Sequence, residues 1–476
     1  MSILQESSPN MKNTASSKPT VPRRQKDETG EDVRQETRQP DKDVINLFWG
    51  DPHKAGLKPL TFVRQVLAVC VYPELMNSDK LPVDVKHRAQ EQLEECVGGS
   101  VGSYFDATGI SQVTRSISEF ISRRDGGVVS HPENIFSTAG SEMSLKSILS
   151  VLVNCEKSLR TGVLFPVPGF DTAVWTTELL GGVVVPYYLN EDQGWELEVQ
   201  ELHRALESAK GVCDPVALYV VNPGNPTGHI QTRTSIEEVI RFAFDKKLFL
   251  LVDEVYQDCV SEENCHFVSY KRVLTEMGPP FSETVELASF HSISKGLLGE
   301  CGLRSGYVEL VNLDPAVMKH IKTMFSADCG PPVTGQIAFD LMLNPPIPED
   351  PSYDLYNEET QQIKTTLVRN AKRAAEVLNN LPGVSCQPPK GAYVFPRLYL
   401  PPKAIQKAKE VGTSPDVFYC DKLLEEARIS VRPGCTFGQK EGTYHIRIFI
   451  KTSEDMMEEL LKRLTSFHAR FMRDFS

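Results

Sequence analysis

Lys295 stands in a hydroxyl-rich stretch, Ser289-Phe290-His291-Ser292-Ile293-Ser294-Lys295-Gly296, and Arg304 follows nine residues later. A lysine amine attacks carbonyl carbon to form an imine only after losing its proton, which burial or a neighbouring cation promotes. Ser292 and Arg304 suit a phosphate, the arginine as a planar fork of donors. Asp253-Glu254-Val255-Tyr256 ends the apolar run from Leu248 to Val252. A carboxylate there can keep a heteroaromatic nitrogen protonated and its ring an electron sink, while Tyr256 and Asn225 can reach the same ring's oxygen. Gly140 and Ser141 open a helix after Ile135-Phe136-Ser137-Thr138, and free amides at a helix start attract anions. Arg447, in the alternating run from Tyr444 to Ile450, can grip a carboxylate with two parallel bonds. Each group also has a plainer reading: Asp253 as a helix cap, Tyr256 as core, Asn225-Pro226-Thr227-Gly228 as an ordinary turn, Arg447 as a surface arginine.

The elements that would position these groups alternate between strand and helix. Strands are expected at Ile135, Val163–Pro166, Gly181–Tyr187, Val216–Val221 and Leu248–Val252, with helices at Leu60–Cys70, Val83–Cys96 and Ile110–Arg124. Ser235 with Glu238 reads as a capping box, followed by an apolar face of Ile236, Val239, Ile240, Ala243 and Phe244. Such alternation implies an α/β protein with a mainly parallel sheet covered on both faces. After Leu310 it fades into a long polar helix (Tyr356–Asn380), a smaller α+β unit from Gly391, and a last helix lined by Met457, Leu460, Leu461 and Leu464. The expected division is a disordered tail (1–43), an N-terminal segment serving the small domain and a dimer (44–95), a large domain (96–335) and a small C-terminal domain (336–476).

Composition narrows the function. A chain of 476 residues has room for two domains, and a net charge of −12 without a basic stripe argues against nucleic acid. No apolar run reaches the ~18 residues that span a bilayer. The 11 cysteines lack paired metal spacings and read as reduced thiols of a cytoplasmic protein without a metal. Lys12, Lys18, Arg23, Arg24 and Lys26 against Glu6 leave a mitochondrial leader as the alternative, although no amphipathic helix accompanies them.

The order Tyr104, Gly140-Ser141, Phe170, Asn225, Asp253, Tyr256, Ser292, Lys295, Arg304, Arg447 resembles the fold-type I, class I/II aminotransferases, which use pyridoxal phosphate (PLP). Asn222-Pro223-Gly224-Asn225-Pro226-Thr227-Gly228, Glu276-Met277-Gly278-Pro279-Pro280, Gly299-Glu300-Cys301-Gly302-Leu303-Arg304 and Phe437-Gly438-Gln439-Lys440-Glu441-Gly442 are similar to the alanine aminotransferase family, over about 45–476. The resemblance implies that Lys295 holds PLP as an internal aldimine and later moves a proton on the substrate. It implies that Asp253 faces the pyridine nitrogen and that Asn225 and Tyr256 face the ring oxygen. Phe170 would stack on the ring, while Gly140, Ser141, Ser292 and Arg304 hold the phosphate with Tyr104 from the partner of a homodimer. Arg447, Asn225 and the Gly50 backbone would bind the substrate. Amino acid and 2-oxo acid would then exchange an amino group in two half-reactions, L-alanine with 2-oxoglutarate.

Several positions depart from that family's pattern and suggest a divergent member. The tail stands where an ordered N-terminal arm is expected, Thr138-Ala139-Gly140-Ser141-Glu142 replaces Thr-Gly-Ala-Ser-Asp, and Phe170-Asp171 replaces Tyr-Pro. Cys435-Thr436 replaces Ser-Gly, and Asp328 stands where an arginine is expected, which disfavours a second substrate carboxylate. The alternatives are another fold-type I enzyme (a β-lyase or an aminocyclopropane-carboxylate synthase-like protein) and a non-catalytic PLP-fold paralogue. The intact set Asn225, Asp253, Tyr256, Lys295, Arg304 and Arg447 argues against the last.

Overall fold

The computed structural model describes residues 44–154, 158–262, 265–327 and 330–476. The tail 1–43, expected to be disordered, and Asp328 lie outside the described residues. After the two-residue β1 (Ile45–Asn46) come β2 (Ile135–Thr138), β3 (Thr161–Val167), β4 (Val183–Tyr188), β5 (Asp214–Val221), β6 (Phe249–Asp253), β7 (Leu287–Ser292) and β8 (Gly306–Val311). Strands β2 to β8 form one sheet in the order β2-β8-β7-β6-β5-β3-β4. Neighbours are parallel except at β8, which runs against both β2 and β7. This is the mainly parallel α/β sheet that the alternation implied.

The central strands are apolar on both faces because both faces are covered. Leu218 and Val220 of β5 join a core with Ile236, Val239 and Ile240 of the helix Arg233–Lys246. Ala217, Tyr219 and Val221 point the other way, into a core with Leu145, Ile148 and Leu149 of the helix Ser141–Leu152. One local expectation is corrected here. Thr232, not Ser235, caps the helix Arg233–Lys246, its Oγ1 accepting from the Ser235 amide at 3.2 Å. Ser235 lies buried inside the first turn, where its Oγ accepts from Gln231 at 3.3 Å.

The C-terminal elements add β9 (Val384–Ser385), β10 (Tyr393–Val394), β11 (Arg397–Leu398), β12 (Ile429–Ser430), β13 (Arg432–Pro433) and β14 (Ile446–Phe449). β10, β14 and β13 form a small antiparallel sheet, packed with the helices Tyr353–Asn379, Pro415–Ala427 and Glu454–Asp474 around one core. β1 pairs in parallel with β12, tying the start of the described chain to this layer. The helices Thr61–Val71 and Val83–Glu94 pack elsewhere, against Ser111–Arg124 and Val333–Leu343. Val44–Ser476 as a whole is one compact unit. Among the described residues no helix is long and apolar enough to cross a membrane.

One buried ion pair stabilises the antiparallel edge. The Lys271 ammonium donates to Glu309 Oε1 on β8, which also accepts from Ser130 Oγ at 2.5 Å, and both partners are at most 5% exposed. Lys271→Met would strand the carboxylate and is expected to cost about 3–5 kcal/mol in urea unfolding. Lys271→Met with Glu309→Leu is expected to recover most of that loss.

Candidate active site

Gly306, the first residue of β8, is in register with both Thr138 of β2 and Ser292 of β7. The antiparallel strand therefore brings the Ala139-Gly140-Ser141 turn and Ser292 to one place, with Arg304 two residues upstream. A side chain at Gly306 would meet the His291 carbonyl at 2.7 Å and the Ser141 amide at 2.9 Å, so only glycine fits. Arg304 donates to the Ala139 carbonyl at 3.1 Å and to the Cys301 carbonyl at 3.0 Å. Gly140 has φ 102°, and a Cβ there would lie 2.7 Å from Arg304 Nη2. No side chain caps the helix Ser141–Leu152, which leaves its first amides to an anion. Ser292 is buried, its Oγ accepting from the Ser294 amide at 3.4 Å. Together these groups form an anion cradle at the ends of strands, where open α/β sheets place their ligands.

Lys295 follows β7 on the same rim and is half-buried. Its ammonium donates to the Gly50 carbonyl at 3.2 Å, and Gly50 has φ 62°. The loop around Lys295 is fixed from behind. Lys451 Nζ donates to the Lys295 carbonyl at 2.9 Å and also to the Gly296 carbonyl. Cys259 Sγ donates to the Lys295 carbonyl at 3.7 Å, and Cys301 Sγ to the Ser294 carbonyl at 2.9 Å. Burial pushes the Cys259 thiol up to about 11 and raises Cys301, while it lowers the Lys451 ammonium.

Asp253 ends β6 and is buried. Its Oδ2 accepts from the Tyr219 hydroxyl at 2.9 Å and its Oδ1 from the Val255 amide at 3.2 Å. Burial outweighs these bonds and raises its carboxyl to about 6. Tyr256 is a buried phenol, raised well above its ordinary range by burial and then by Tyr393, to whose hydroxyl it is bonded at 2.9 Å. Asn225 Oδ1 accepts from Arg447 Nη1 at 2.9 Å, and Arg447 Nη2 donates to the Phe48 carbonyl at 2.7 Å. The Arg447 guanidinium lies 4.5 Å from the Tyr393 ring centre and 4.8 Å from that of Phe437.

Phe170 is half-buried just before the helix Asp171–Leu179, and the preceding Gly169 amide donates to the Phe437 carbonyl at 2.8 Å. Tyr104 stands apart from the other sequence candidates: it is 83% exposed and has no bond or ring contact to the cluster among the described residues. Sequence reasoning missed Tyr219, Tyr393 and Lys451. Tyr219 looked like one more apolar strand position, and Tyr393 was read only as the start of the small unit. Lys451 did carry a signal, a lysine directly after the alternating run from Tyr444 to Ile450.

The donor set fits PLP: an amine, a buried carboxylate for a ring nitrogen, and an uncapped helix start beside an arginine for a phosphate. Among the described residues no group of three or more His, Cys, Asp or Glu is placed to hold a metal. The raised Asp253 pKa has a consequence for folding. An unfolded aspartate titrates near ~3.9, so the folded chain binds the extra proton between about 4 and about 6. Stability is therefore lost as pH rises through that window, and the cost is fully present above it. Asp253→Asn is expected to stabilise the PLP-free protein by about 1–3 kcal/mol at pH 7.5 in urea unfolding. The gain should vanish near pH 4.

Comparison with known proteins agrees with this geometry. Residues 66–464 match the pattern of the family "Aminotransferase class I and II". Alanine aminotransferase 1 of Homo sapiens is 47% identical, over 94% of this chain and 91% of its own length. Alanine aminotransferase 2 of Xenopus laevis is 46% identical over 94% and 83%. Glutamate–glyoxylate aminotransferase 1 of Arabidopsis thaliana is 42% identical over 91% and 90%. Identity at this level across nearly the whole chain corrects the expectation of a divergent member. An alanine aminotransferase from Pyrococcus furiosus has the same fold, with TM-score 0.70 and 22% identity, covering 92% of this chain and 96% of that one. Sheet, cradle and relatives point the same way: the chain belongs to the class I and II aminotransferases, PLP-dependent enzymes of fold type I.

Proposed function

We propose that the protein is an alanine transaminase, moving the amino group of L-alanine to a 2-oxo acid, 2-oxoglutarate, in two half-reactions at one site. The observation that carries this reading is the turn Phe48-Trp49-Gly50, whose carbonyls accept from Arg447 at one end and from Lys295 at the other. The reacting amine and a carboxylate anchor are thus held two residues apart on one backbone segment. An α-amino acid calls for both groups, an amine site at the lysine and a carboxylate site at the arginine, and one short segment ties them together. The 47% identity to a human alanine aminotransferase supports the choice of amino acid.

Bound PLP supplies the electron sink into which the Cα–H electrons pass. The chain's own part is positioning and proton transfer. Lys295 would take the proton from the substrate Cα and later give it back, as general base and then general acid. Asp253 would keep the ring nitrogen protonated, with Tyr219 fixing its carboxylate by a hydrogen bond. Tyr256 and the Asn225 amide would serve the ring oxygen, and Phe170 would stack on the ring. Gly140, Ser141, Ser292 and Arg304 take the phosphate. The exposure of Tyr104 supports its reaching a second copy's phosphate, which makes the active unit a homodimer. Residues 96–335 act as the large domain and 336–476 as the small one, with 44–95 serving the small domain and the dimer. The nine described cysteines are all free thiols, which supports a cytoplasmic enzyme.

PLP-loaded protein is expected to absorb in the visible, and Lys295→Ala to lose that band. L-alanine should shift it to shorter wavelength and 2-oxoglutarate should restore it. A band that L-alanine leaves unchanged rules out alanine as the donor. Arg447→Leu is expected to lower kcat/KM for L-alanine about 10–100-fold, the worth of a charged hydrogen-bonded grip, and Arg447→Lys to recover little of it.

A further inference from the structure

Arg432 is the directly opposite partner of Arg447, across the antiparallel pair β13 and β14. Opposed residues of an antiparallel pair share a face, so the two guanidinium groups project to the same side. Both rest on one ring, their central carbons 4.7 and 4.8 Å from the Phe437 ring centre. Arg432 also lies over Phe48, 5.6 Å from its ring centre. Both arginines are buried, 8% and 2% exposed. In both, Nε is a buried donor without a hydrogen-bond partner among the described residues.

A buried N–H of a cation left unmatched is costly, so two of them side by side need an explanation. One carboxylate is present. Asp171 Oδ2 accepts from Arg432 Nη2, at the first residue of the helix that follows Phe170, where the helix start favours negative charge. This leaves the Nε edge of Arg432 unpaired. The cluster therefore has two permanent positive charges, one fixed carboxylate, and two Nε donors that nothing among the described residues accepts.

We propose that Arg432 is a specificity-determining residue that binds the distal carboxylate of a five-carbon dicarboxylic substrate, with Asp171 holding its guanidinium when that carboxylate is missing. The inference rests on the alanine:2-oxo acid reading above and names the feature by which one site takes both partners. Such a site must accept a methyl group and a carboxylate in turn at the same position. A bare arginine there would be an unpaired buried charge whenever alanine is bound. The Asp171–Arg432 pair is neutral with alanine. It still offers the Nε edge to a dicarboxylate whose other end is on Arg447. Phe437 makes the common floor, stacking on guanidinium planes without competing for their donors.

The test is calorimetric titration of the PLP-loaded enzyme with two unreactive probes, glutarate and pentanoate, which differ only in the distal carboxylate. Wild type is expected to bind glutarate about ten-fold or more tightly than pentanoate. Arg432→Gln should bring the ratio close to one, Arg432→Lys should recover it only in part, and Asp171→Asn should raise it by freeing the guanidinium. Equal binding of the two probes by wild type overturns the proposal, as does a glutarate preference that survives in Arg432→Gln. The pair would then be only a structural tie between β13 and the helix Asp171–Leu179. If Arg432→Gln fails to fold, Asp171→Asn decides, and an unchanged ratio there overturns the proposal. The alanine reading is judged separately, by the spectral response of wild type to L-alanine.

Discussion

A guanidinium cannot shed its proton under any condition in which the protein is folded, so a buried arginine must be served by its surroundings. Arg447, 2% exposed on the middle strand of the small sheet, sets that demand at the centre of this structure. It is met from distant parts of the chain: the Phe48 carbonyl, the Asn225 side chain and the ring of Tyr393. Two of these helpers have a second duty. The Phe48 turn continues to Gly50, which accepts from Lys295, and Tyr393 bonds Tyr256. A Cβ at Gly50 would sit 2.6 Å from the Tyr393 hydroxyl, so the turn can approach only as glycine. Satisfying one permanent charge thus links Phe48, Gly50, Asn225, Tyr256, Lys295 and Tyr393 in one network around Arg447.

The second organising constraint is topological. Parallel strands deliver their C-terminal ends to one rim, which accounts for Phe170, Asn225, Asp253 and Lys295 lying together. The single reversed strand, β8, is what adds the anion cradle. Because β8 begins at that rim instead of ending there, the residues just before it, including Arg304, join the loops of β2 and β7. Local strain marks the same place. Arg304 has φ 51° and Gly140 φ 102°, both in the left-handed region that side chains disfavour. The burial that raises Asp253 belongs with these costs, since the site trades folding stability for a carboxylate with few competing partners.

Much of this was legible from sequence because strand ends, turn residues and long amphipathic helices are local signals. The strands ending at Val221 and Asp253 and the helix Ser111–Arg124 fell within a few residues of their expected bounds. What sequence hid was set by pairing across distance. Nothing local tells that Gly306 starts an antiparallel strand, or that its register joins Thr138 to Ser292. The helix at Arg233 shows a finer limit. Thr232 and Ser235 are both good caps, and tertiary burial of Ser235 decides between them. Tyr219, Tyr393, Lys451 and Arg432 were missed for one reason: each is a side chain of ordinary type whose importance lies in a partner more than 30 residues away.

The two sulfurs behind Lys295 have a consequence of another kind. Cys259 and Cys301 donate to the backbone of the loop that bears Lys295, and burial favours the thiol over the thiolate in both. Oxidants and electrophiles attack the thiolate, so the condition that makes these sulfurs donors also makes them slow to oxidise. A loop anchored through accessible low-pKa cysteines would lose its shape under oxidative stress. This loop is anchored through thiols whose raised pKa values disfavour the thiolate that oxidants attack.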